Sequence, residues 1–165
     1  MMSKRKKVAD IIDNIRRVFQ AVHEYSKKAE KKTGLTGPQL WAMKILADTA
    51  PIKVSQLAKS MYLHPATVVG ILDRLEVKGL IARTRSKGDR RVVEIDLTNL
   101  GREILERAPE VAQGLLVAGL ETLPDKDLVC IADGLSQLVK ILGVQEIPPG
   151  LLLITEGHES NRESC

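Results

Sequence analysis

Two stretches of apolar residues at helical spacing, one near each end of the chain, set the strongest limit on how it can fold. After a basic cluster at Lys4–Lys7, Val8, Ile11, Ile12, Ile15, Val18, Phe19, Val22 and Tyr25 form one sustained stripe. That pattern predicts a long amphipathic helix ending near Gly34. Toward the other end, Leu128, Ile131, Leu135, Leu138 and Leu142 share the face of a helix that starts at Pro124 or Asp125 and stops at Gly143. Aromatic residues are only 2 % of the chain (Phe19, Tyr25, Trp41 and Tyr62), so the core must come from Leu, Ile, Val and Ala, which suits helix packed on helix.

Between these stripes the elements are shorter. Thr36 is the expected N-cap of a helix with Pro38 in its first turn, running through Trp41, Ile45 and Leu46 to about Asp48. Ser55–Met61 reads as a short helix, followed by a turn at Tyr62–His64. Pro65 then opens a helix to about Lys78, closed by Gly79. Ile81–Arg85 and Val92–Leu97 read as strands joined by the polar, Gly-containing stretch Ser86–Arg91, which suits a hairpin. Thr98 caps a long helix that Pro109 is expected to kink. The fold class is therefore mainly α with a small β-hairpin.

Residues 144–165 form a tail whose Pro148, Pro149 and Gly150 oppose helix, while Leu151–Ile154 oppose free exposure. Packing on the body and covering a partner subunit both remain open. No apolar run reaches the roughly 20 residues of a membrane span, and Met1–Lys7 leads into no hydrophobic signal region; a cytoplasmic protein is expected, with no membrane partner. Cys130 and Cys165 are too few for a disulfide framework, and Cys130, among Leu128, Ile131 and Ala132, reads as a small buried hydrophobe. His23, His64 and His158 lack ligand spacing, and no phosphate loop, nucleophile elbow or triad pattern occurs. Neither a cofactor nor catalysis is expected.

The net charge of +4 is unevenly placed. From Gly143 onward four acidic residues stand against Arg162, a contribution of −3 that leaves +7 for the rest. Pro65–Arg91 alone carries seven basic and three acidic residues, or +4. Such a concentration suits a polyanion-binding face. Two helices joined by a tight turn place the second in a DNA major groove. In Val54–Met61 and Pro65–Lys78, Leu57, Ala58, Val68, Ile71, Leu72 and Leu75 fall on the packing side. His64, Ala66, Thr67, Val69 and Gly70 are left facing outward near the start of the second helix. Thr67 can bond a base or phosphate, Ala66 and Val69 can meet thymine methyls, and Gly70 permits close approach. The hairpin tip adds Arg85, Lys87, Arg90 and Arg91 around Asp89. Arginine on a projecting loop can enter a narrow minor groove.

Val54-Ser55-Gln56-Leu57-Ala58, Thr67-Val68, Leu72-Asp73-Arg74-Leu75-Glu76, Lys78-Gly79-Leu80-Ile81, Asp89-Arg90-Arg91 and Leu97-Thr98-Asn99-Leu100-Gly101 resemble, in order and spacing, the multiple-antibiotic-resistance regulator (MarR) family. The resemblance implies a dimerisation helix over 1–34, a winged helix-turn-helix over 35–98 and dimerisation helices over 99–143. It implies a homodimer bound to double-stranded DNA at a pseudo-palindromic promoter site, with half-sites about one helical turn apart, usually as a repressor released by a small anionic or phenolic ligand. Carried over by position, Thr67 and its neighbours would enter the major groove, and Arg91, with Arg90, the minor groove. Asp89 would orient the arginine, and Arg74 would contact phosphate or pair with that aspartate. A ligand pocket would lie between helical frame and winged helix, with Tyr25, Trp41, Met61, Tyr62 and His64 as linings. Val69 and Gly70 stand where many relatives have polar or basic residues, which shifts weight to the wing and to DNA shape. The rival reading is a winged-helix protein-interaction module without specific DNA contact.

Overall fold

A computed structural model describes residues 3–151 except Lys87 and Arg90. Helix α1 (Lys4–Thr33) is capped by Ser3 and ends at Gly34, which takes the left-handed conformation that glycine adopts without strain. In α2 (Gly37–Thr49), Pro38 fills the first turn and Gln39 Oε1 accepts from the Thr36 N–H at 3.2 Å. Strand β1 (Ile52–Lys53) leads directly into α3 (Val54–Ser60). Helix α4 (Pro65–Val77) is followed by strands β2 (Ile81–Arg85) and β3 (Val93–Leu97). Helices α5 (Asn99–Glu106), α6 (Ala112–Glu121) and α7 (Asp125–Leu142) complete the order. The antiparallel sheet has the order β1-β3-β2, with Ile52 opposite Ile95 and Ile81 opposite Leu97.

The two-residue β1 is not expected from the sequence, being too short to display alternation. A second difference concerns Pro109. The expected kinked helix is two helices: Ala108 lies outside both, and Val111 is the extended N-cap of α6. Proline has no N–H for the helix ladder and disfavours helical backbone at the residue before it, so the chain breaks rather than bends.

The core joins Leu35, Leu40, Met43 and Leu46 to Leu57, Val68, Leu72 and Leu75, and to Ile95 and Leu97 beneath the sheet. The expected packing side of the helix-turn-helix is therefore its buried side. Thr98 locks the sheet to α5: its hydroxyl donates to the Gly79 carbonyl at 2.7 Å and accepts from the Gly101 N–H at 3.1 Å. The Thr98 N–H donates to the Leu80 carbonyl at 3.0 Å. A Cβ on Gly101 would collide with that same carbonyl oxygen, which is the physical reason for glycine at this position.

Outside this core the chain is strongly apolar yet uncovered. Val8, Ile11, Ile12, Val18 and Phe19 on α1 are exposed, as are Ile131, Leu135, Val139 and Leu142 on α7. Cys130 is exposed with them, which corrects the expectation of a buried hydrophobe. None of the residues of α7 is buried within one chain, so an apolar neighbourhood in sequence does not bury this thiol.

Candidate nucleic-acid interface

The tight turn between α3 and α4 positions everything else. Tyr62 adopts φ +52°, a left-handed conformation uncommon for a non-glycine residue, and reverses the chain within three residues. Its hydroxyl donates to Glu121 Oε1 at 2.7 Å, tying the turn to the end of α6. The carboxylate's hydrogen bond and its charge hold the Tyr62 phenol above its ordinary pKa. His64 is the N-cap of α4, its Nδ1 accepting from the Ala66 N–H at 3.2 Å. Satisfying a first-turn N–H in this way supports the helix start, and Pro65 loses nothing there because its position has no ladder partner.

From that start, Ala66, Val69, Gly70, Asp73 and Arg74 are exposed and recur at the three- and four-residue steps of one helix face. Val69, 40 % exposed, is a large aliphatic held open to solvent at the centre of this row. Space beside Gly70 is open, since a Cβ there would meet nothing within 4 Å. Thr67 is half-buried and lies toward the protein interior, lining a cavity below the helix start. The sequence-derived set therefore divides: Ala66, Val69, Gly70 and Arg74 share the outer side, while His64 and Thr67 sit at its junction with the cavity.

The wing adds exposed basic residues to those of α4. Arg85 ends β2 and is exposed, and Ser86 donates its N–H to the Val92 carbonyl at 2.8 Å, narrowing the hairpin. At the tip, Asp89 accepts from the Arg91 N–H at 2.9 Å and from its Nε and Nη2 at 3.2 and 3.3 Å. The backbone N–H of Arg91, then its guanidinium, hold the Asp89 carboxyl below its usual pKa. Asp89 thus shapes the tip while leaving the Arg91 side chain 91 % exposed. Asp89 pairs with Arg91 and not with Arg74. Lys87 and Arg90, also expected at this tip, lie outside the described residues.

A cavity of about 710 Å³ separates the helix-turn-helix from α6. Trp41, Met61, Tyr62 and His64 line it as expected, with Leu116, Val117 and Leu120 of α6 opposite. Trp41 and Met61 also belong to the core, so each has one side packed and one side facing the cavity. Tyr25 is half-buried on α1 and is not among the lining residues, which corrects its placement there. Pro148, Pro149, Gly150 and Leu151 form part of the wall, and Leu151 packs against the core. Up to Leu151, then, the tail lies on the body of its own chain.

The MarR family model matches residues 35–93, the span from the end of α1 to the returning strand of the wing. The transcriptional repressor MdtR of Bacillus subtilis (strain 168) is 29 % identical over 146 residues, 88 % of this chain and 94 % of that protein. The organic hydroperoxide resistance transcriptional regulator of the same strain is 32 % identical over 111 residues, 67 % of this chain and 74 % of that one. A MarR family protein from Bacillus stearothermophilus superposes with a TM-score of 0.51 at 27 % identity, covering 86 % of this chain and 99 % of that one. With its helix-turn-helix, three-stranded wing sheet and flanking long helices, the chain belongs to the MarR family of transcriptional regulators.

Proposed function

We propose that this regulator binds duplex DNA as a homodimer at a pseudo-palindromic promoter site, acts as a repressor, and is released by a small ligand in the cavity beneath α4. The observation that carries this reading is the exposed row Ala66, Val69, Gly70 and Arg74 along α4, which begins at the His64 cap and is followed by a wing whose Arg85 and Arg91 are also exposed. The N-terminal half of α4 enters the major groove, where Ala66 and Val69 meet thymine methyls and Gly70 lets the sugar-phosphate backbone approach. Arg91, whose guanidinium is oriented by Asp89 yet stays 91 % exposed, reaches the minor groove together with Arg90, while Arg85 and Lys87 contact phosphates. The small apolar reading surface of α4 leaves much of the specificity to groove shape.

Dimerisation follows from the uncovered apolar residues of α1 and α7, which a second copy would bury at both chain ends. A C2 pair of winged helices then meets two half-sites about one duplex turn apart. The repressor role rests on the name given to MdtR. The ligand is phenolic or neutral rather than strongly anionic: among the described lining residues none is Lys or Arg, while Glu121 holds a carboxylate at Tyr62. His64 caps α4 and lines the same cavity, so a ligand that engages its ring competes with the Ala66 N–H and perturbs the start of the reading helix. A cytoplasmic location fits this role.

Equilibrium binding of the full chain to duplex DNA at several salt concentrations tests the interface. Phosphate neutralisation by the basic residues requires log affinity to fall steeply with log salt, by about 0.9 per phosphate contact. A nearly flat dependence removes the proposed face from DNA binding and favours the protein-interaction alternative.

A further inference from the structure

One guanidinium ties the wing to helix α4. Arg83 stands in the middle of β2, opposite the fully buried Ile95 of β3. Strand alternation puts it on the same sheet face as buried Ile81, so its side chain is directed toward α4 instead of solvent. There its Nη2 donates to Asp73 Oδ1 at 2.6 Å and its Nη1 to Glu76 Oε2 at 2.9 Å. Asp73 and Glu76 are three residues apart, hence neighbours on the helix surface, and both are exposed. Asp73 also belongs to the outer row that includes Gly70 and Arg74. Two fixed negative charges beside a face meant for a polyanion oppose binding on electrostatic grounds alone, so their presence there calls for another role.

We infer that Arg83, Asp73 and Glu76 form a strut that sets the inclination of the wing to the reading helix, which makes Arg83 a positioning residue for DNA specificity and not a phosphate contact. The inference rests on the proposed DNA-binding role of this face. A planar fork with its two terminal nitrogens on different carboxylates fixes a direction as well as a distance, which a single ammonium cannot do. Exposed ion pairs add little to stability, so the value of the strut is geometric. Major-groove contacts from α4 and minor-groove contacts from Arg91 must meet the duplex at one fixed offset, and free rocking of the hairpin would blur it.

The test exploits opposite signs. The full-length wild type and the variant Asp73→Asn/Glu76→Gln are titrated with a duplex selected by the wild type from random sequence, and with an unselected duplex of equal length. Electrostatics alone makes this variant bind both duplexes more tightly, because two negative charges are lost. The strut requires weaker binding to the selected duplex, by about five- to tenfold, with binding to the unselected duplex equal or tighter. Arg83→Gln must show the same loss of discrimination and Arg83→Lys an intermediate one. A selected-to-unselected ratio that stays at or above the wild-type value in these variants overturns the inference. Amide hydrogen exchange gives a readout without DNA: Arg83→Gln must exchange faster in β2 and β3 while α7 keeps its protection. If the wild type binds no duplex, the DNA-binding reading fails, and exchange alone decides the strut: unchanged rates across the hairpin reject it.

Discussion

Replacing Gly101 by Ala places a methyl group against the backbone at the junction of wing and helical frame. The new Cβ would collide with the Leu80 carbonyl oxygen and touch Leu97 Cδ2 at 3.4 Å. The carbonyl cannot swing aside as a side-chain end would, and it also accepts the Thr98 N–H at 3.0 Å. Relief requires α5 to move away from the start of β2, an overpacking cost of about 1–3 kcal/mol. Stretching the Thr98–Leu80 bond adds about 1 kcal/mol. Against this, Ala in place of Gly within a helix returns about 1 kcal/mol. The net destabilisation is about 1–3 kcal/mol, which for a domain of this size lowers Tm by roughly 3–10 °C. Thermal unfolding followed by circular dichroism at 222 nm, at one fixed protein concentration, measures the shift. Gly70→Ala is the control: its site is open, so Tm rises, by the equivalent of about 0.5–1 kcal/mol. A Tm for Gly101→Ala equal to or above that of the wild type refutes the steric reasoning.

Four further outcomes are expected from the same geometry. Gly70→Ala, while more stable, binds DNA several-fold more weakly if duplex backbone approaches the open side of α4, as fluorescence anisotropy would report. Arg91→Ala weakens binding to the selected duplex more than to an unselected one, because a minor-groove arginine reads groove shape, and reduces the salt slope by about 1; an unchanged selected-to-unselected ratio removes the wing tip from shape reading. The chain has two tyrosines, and absorbance titration at 295 nm in wild type should show one ionising above the ordinary 10.0. Because the folded state holds the Tyr62 proton more tightly, the associated stabilisation is complete below pH 10 and fades as pH rises through the raised value. Glu121→Gln returns that phenol toward 10. Asp89 is the reverse case: its lowered pKa stabilises the tip above pH 3.8 and the effect is lost as pH falls through the lower folded-state value. Arg91→Ala should therefore raise the Asp89 carboxyl pKa, read by carbon-13 chemical shifts.

Much of the fold was legible because the residues that specify it act locally. Gly34, Gly79 and Gly143 all take φ near +70° at element ends, and Thr98 and Pro65 sit at helix starts where their chemistry fits. Helical spacing in Val68–Leu75 marked the buried side of α4, and the basic residues of the wing marked its exposed end. What escaped the sequence depends on contacts between distant segments. Arg83 counts as one more basic residue until β2 lies against α4 and gives it two carboxylates. Tyr62 and Glu121, Gly101 and Leu80, and Leu151 and the core are likewise paired only by folding. Cys130 misled because an apolar helix face predicts burial without saying whether the same chain or another supplies it.

Under the proposed function, two such winged helices, held apart by apolar pairing at the chain ends, read adjacent turns of one duplex. Selection of bound duplexes from a random-sequence pool by the full-length protein tests this arrangement most directly. The expected result is an enriched inverted repeat with half-site centres about 10 base pairs apart, lost when Leu135→Glu on α7 leaves the protein monomeric in sedimentation. Enrichment of no sequence, or of a single unsymmetric site bound equally well by that monomer, would contradict the account.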